Sequence, residues 1–129
     1  MNRKEFIGLV RKAIAALPAP ARGAMENVAF VLEDEARRRK MYEVGIRRDQ
    51  ILLGLYEGVP KIKRGAEYFG VLPDKITLFR KPIEALAGGD PEKLRGIVQD
   101  VVWHEVGHHL GFDESGIRAL EQKRKRRYN

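Results

Sequence analysis

The chain has 129 residues, 43% of them hydrophobic and 33% charged, no cysteine, and a formal net charge of +7. That length and balance predict a single globular domain over residues 1–129, able to bury a core without disulfide staples, they leave any metal site to histidines and carboxylates, and the helices and strands predicted along the chain make the expected class α+β. No apolar run approaches the ~20 residues of a membrane span, and Met1-Asn2-Arg3-Lys4-Glu5 opens a charged pattern rather than a signal peptide's apolar core, so no membrane contact and a cytoplasmic address are expected.

In chain order, Phe6, Val10, Ala13, Ile14 and Leu17 recur at helical spacing and predict an amphipathic helix over residues 3–17, which Pro18-Ala19-Pro20 ends. Residues 28–34 read as a short buried strand. The charged stretch 35–49 is either a loop or a short exposed helix. Residues 51–60 read as a strand closing in a Gly/Pro turn, and the interior Gly54 points to a bulge or a close backbone approach. A basic connection over 61–74 ends in Leu72-Pro73-Asp74. Lys75-Ile76-Thr77-Leu78-Phe79-Arg80 alternates as a strand, with Pro82 as its stop.

The best-marked element follows Gly88-Gly89. Asp90 is a good N-cap, Pro91 suits the first helical position, and Gly111 is a natural residue just past the C-terminus. On a wheel of about 100° per residue with His104 at zero, Ile97, His108, Val101, Leu94, Glu105, Val98, His109 and Val102 fall within an arc of about 160°. Glu92, Lys93, Arg95, Gln99 and Asp100 are expected on the opposite side. A short basic helix over 117–125 follows the turn at 112–116.

This helix holds all three histidines of the chain, in His104-Glu105-Val106-Gly107-His108-His109. H-E-x-x-H has a chemical reason to exist. Side chains four apart share a helix face, so His104 and His108 can close on one zinc ion, and Glu105 can reach a water bound to it. An ionisable set on an otherwise apolar face is costly unless it is paired or ligating, which favours a metal site over two satisfied core histidines. His109, five residues after His104, is wrongly spaced for joint ligation and is expected to pack in the core. Trp103 and Leu110 are expected on the other side without a chemical role. Tyr42, Tyr56 and Tyr68 are potential oxyanion donors, with core packing the simpler expectation for each.

Catalytic zinc needs a third protein ligand and an open position. In H-E-x-x-H-x-x-G-x-x-[H/D/E] the glycine stops the helix and returns the chain beneath the metal, which nominates Glu114. Asp113 and Glu121 are the competitors. One zinc per chain would lower the pKa of a bound water from ~15.7 toward ~7. Glu105 would then act as general base toward a peptide carbonyl and as proton donor to the leaving amine. A strand from 51–57 or 75–80 would hold the extended peptide or protein substrate by strand addition.

Three blocks, Leu52-Leu53-Gly54-Leu55-Tyr56-Glu57-Gly58, Leu72-Pro73-Asp74-Lys75-Ile76-Thr77-Leu78-Phe79 and His104 through Glu114, give the chain a resemblance to the short bacterial zincin-like metallopeptidases. The resemblance implies a minimal zincin: a small twisted mixed sheet packed on a long helix that carries the motif, with N- and C-terminal helices. It implies zinc on His104, His108 and Glu114, with Glu105 as the catalytic base. Glu at the third-ligand position departs from the usual Asp or His, and no Met follows Met41, so the methionine turn of metzincins is absent.

Two rival readings stand beside this one. The first keeps the zinc without catalysis, as a protein that recognises a partner's extended segment. The second is a basic nucleic-acid-binding module built on Arg37-Arg38-Arg39-Lys40 and Lys123-Arg124-Lys125-Arg126-Arg127. For those runs a solvated helix face and a basic tail are the simpler explanation.

Overall fold

The structure, a computed structural model, describes residues 2–45, 51–58, 74–111 and 116. Among them it is an α+β arrangement of five helices and a three-stranded mixed sheet. The first helix, α1 (Arg3–Ala15), starts where the Asn2 side chain accepts from the Glu5 amide at 2.8 Å and donates back to the Glu5 carboxylate at 3.0 Å. The cap satisfies the Glu5 amide, which has no partner within the helix, and the side-chain pair holds it in place. Its face of Phe6, Val10 and Ala13, continued by Leu17, is buried as the spacing predicts.

The proline cluster ends α1 but also begins α2 (Ala19–Gly23), a short helix not expected from the sequence. Proline has no amide hydrogen to lose in a first turn, so the same residue can stop one helix and start the next. Strand β1 (Val28–Glu33) lies where expected. Of the two readings for 35–49, the exposed helix holds: α3 spans Arg38–Glu43. Arg39 pairs with Glu43, and Lys40 pairs with Glu57 on the next strand. That hydrogen bond raises the Lys40 pKa above the ordinary lysine value.

Strand β2 (Gly54–Glu57) is shorter than expected, and β3 (Asp74–Phe79) is the centre of the sheet. The order is β1-β3-β2, with β1 parallel and β2 antiparallel to β3. The strand expected at 75–80 does end at Phe79. Pro82, however, sits in the first turn of a second unforeseen helix, α4 (Arg80–Ala87), rather than in a loop. Arg80 ties α4 back to β1 through Asp34 at 3.0 Å. Gly88 closes α4 with a left-handed φ of 59°, which glycine adopts without the strain a Cβ brings.

The long helix α5 (Pro91–His109) matches its sequence signals at both ends. The Asp90 side chain accepts from the amides of Glu92 and Lys93, Pro91 is in the first turn, and Gly111 follows the C-cap with φ 91°. α5 packs against α1, α4, β2 and β3. Leu94, Val98, Val101, Val102 and Val106 meet Phe6, Val10, Ile76, Leu78 and Ile83 in one buried cluster. No helix among the described residues is long and apolar enough to cross a membrane. The terminal helix expected at 117–125 lies outside the described residues.

Candidate active site

Register in the sheet decides which side chains meet α5. Gly54 faces Leu78 and Tyr56 faces Ile76 across the antiparallel pair, so Gly54, Tyr56, Asp74, Ile76 and Leu78 share one surface of the sheet. At Gly54 the strand comes so close to the helix that a Cβ would stand 2.6 Å from the Val101 Cγ1 and 3.2 Å from the Glu105 Cγ. The close approach expected at Gly54 is therefore real, and it is the absence of a side chain that brings β2 against the motif.

Glu105 is buried, with 8% of its surface exposed, while His104 and His108 are half-buried beside it. The two imidazole centroids are 5.0 Å apart, with the rings inclined at 71°. Two imidazoles on one tetrahedral zinc, each with its nitrogen about 2.0–2.1 Å from the ion, hold their ring centres about 5 Å apart. The pair thus fits zinc in donor type and spacing. Among the described residues no group of three His, Asp or Glu side chains is assembled for a metal. Glu114, expected as the third ligand, lies outside the described residues, as do Asp113 and Glu121.

His104, Glu105 and His108 open onto a cleft of about 720 Å³ between α5, α4 and the segment leading into β2. Asp100 also lines this cleft, which corrects the expectation that it lies on the far side of α5. It precedes His104 by four residues, and such residues are neighbours on a helix face. That spacing was the available signal. Trp103 and Leu110 pack against the core rather than facing away from it.

His109 is a core residue, as its spacing implies, with 1% of its surface exposed. Its Nε2 lies 2.9 Å from the carbonyl oxygen of Ala24, which can only accept, so Nε2 carries a hydrogen. Its Nδ1 lies 2.7 Å from Oδ2 of Asp74, and the same oxygen accepts from the Tyr56 hydroxyl at 2.9 Å. Tyr56 also lines the cleft, but its hydroxyl hydrogen is directed at Asp74. Asp74 is the residue that sequence reasoning missed. In the sequence it has the look of a turn ending, and nothing local distinguishes a turn aspartate from one that meets a histidine 35 positions later. Tyr42 is 86% exposed, against the core position expected for it, because it sits on the outer side of α3. Tyr68 lies outside the described residues.

A helix bearing H-E-x-x-H, laid against a small mixed sheet with a cleft at the motif, is the architecture of the zincin class. The chain belongs to the zincin-like metallopeptidase family, whose sequence model matches residues 25–124. Among solved structures, a conserved hypothetical protein from Thermo thermophilus superposes with a TM-score of 0.56 at 21% identity, covering 95% of this chain and 99% of that one. At that identity the likeness speaks for the fold. No curated protein matches the chain.

Proposed function

We propose that the protein is a zinc-dependent peptidase whose metal is held by His104, His108 and Glu114. One observation carries the reading: the paired imidazoles and the buried Glu105 converge on an open cleft beside β2, an edge strand among the described residues. Bound there, zinc supplies Lewis-acid polarisation of a carbonyl and lowers the pKa of water.

The chain's own residues do the rest. Glu105 lies with its stem against Gly54 and its neighbours His104 and His108 on the same wall of the cleft. From there its carboxylate takes the proton of the attacking water and passes it to the leaving amine. Strand β2, at the edge of the sheet among the described residues, offers main-chain groups to an extended substrate. Strand β3, the other candidate for that role, is paired on both sides, so β2 alone of the two remains.

Elemental analysis of purified protein tests the reading directly. Close to one zinc per chain is expected, with loss of the metal in His104→Ala. Zinc retained in that variant would show that the ion is held elsewhere.

A further inference from the structure

Large apolar side chains scattered singly over a surface need no explanation, whereas grouped ones mark binding sites. Those exposed among the described residues are Tyr42, Val44, Ile51 and Leu86, and all but Tyr42 line the cleft that ends at His104, Glu105 and His108. They come from three separate parts of the chain: Val44 from the end of α3, Ile51 from the segment before β2, and Leu86 from α4. Ile97, seven residues before His104 and hence on its face of α5, completes the wall. Ile51 keeps 62% of its surface exposed and Leu86 43%, an unfavourable arrangement that a bound apolar group would relieve. At about 720 Å³ the cleft is within the range of ligand pockets and holds several substrate residues.

We infer that this wall selects peptides carrying a bulky aliphatic or aromatic side chain next to the bond placed at His104 and His108. The inference rests on the peptidase reading for the position of that bond. Its physical source is separate: the continuity of an apolar cleft with the motif. Glycine or a small polar residue at that position leaves Leu86, Ile51 and Val44 in water, while leucine or phenylalanine covers them. Discrimination in an apolar pocket runs at about 10–200-fold, so at least tenfold between leucine and glycine is expected.

The test uses dye-labelled peptides identical except for Leu, Phe, Gly or Asp at one position, with zinc-loaded protein. Fluorescence anisotropy on Glu105→Gln reads binding without turnover, and cleavage by the unaltered protein reads kcat/KM. Leu and Phe peptides should bind at least tenfold more tightly than Gly. Leu86→Glu, a change at a partly exposed position, should bring the ratio close to one. Tyr42→Ser, outside the cleft, should leave the ratio as it was. Equal binding of the four peptides, or a ratio indifferent to Leu86→Glu, overturns the inference. Selective binding without any cleavage sinks the peptidase reading instead and leaves the selectivity standing.

Discussion

The proton chemistry proposed for the site rests on one carboxylate. Glu105 is the buried acid of the cleft, and the amide of Glu105→Gln keeps its shape without its basicity. The variant should hold zinc with the stoichiometry of the parent and lose about 10²–10⁴-fold in kcat, read by metal analysis and a peptide-cleavage assay run side by side. An active variant would remove Glu105 from the mechanism. His109 makes the opposite case, a histidine beside the motif whose work is structural. Its two ring nitrogens engage Asp74 and Ala24, so the C-terminal turn of α5 is fastened to β3 and to the end of α2. Truncating a buried side chain so that its hydrogen-bond partners are left unsatisfied typically costs about 1–3 kcal/mol. His109→Ala should lose that much stability in urea denaturation, and a double-mutant cycle with Asp74→Asn should show coupling rather than additivity.

At the level of elements, the decisive contact is β2 against α5. Gly54 belongs to a run that alternates poorly as a strand, and the reason lies in the helix beside it: Val101 and Glu105 occupy the space a side chain would need. Overpacking a well-filled site costs about 1–3 kcal/mol. Gly54→Ala should therefore lower stability by that order in denaturant melts and disturb Glu105, so that activity falls further than stability alone explains. A second glycine, Gly58, plays the same part for the buried network, since a Cβ there would collide with the Asp74 carboxylate. The helices the sequence concealed, α2 and α4, share one cause. In each case a proline looks like the end of the preceding element, and a proline in a first turn carries the same local signal. The end signals of α5 were unambiguous because Asp90, Pro91 and Gly111 each perform one task.

For the whole molecule, a ligand that binds only the folded state stabilises it in proportion to the logarithm of its excess over Kd. At free zinc about 1,000-fold above Kd the gain is about 4 kcal/mol, on the order of 10 °C in Tm for a chain of this size. Calorimetry should show that rise in the parent protein, its reversal by a chelator, and its absence in His104→Ala. A similar rise in that variant would mean that zinc binds elsewhere.

The motif, the helix that bears it, the α+β class and the core role of His109 were all legible in the order of residues. The class follows from the succession of predicted elements and the others from spacing along one helix, whose geometry converts spacing into a face without reference to the rest of the chain. Other features waited on the packing of distant elements: that Asp74 receives His109, that β2 rather than β3 is left at an edge among the described residues, and that Val44, Ile51 and Leu86 form one apolar wall. Pairings of that kind join residues tens of positions apart, and no local pattern records a partner that arrives through the fold.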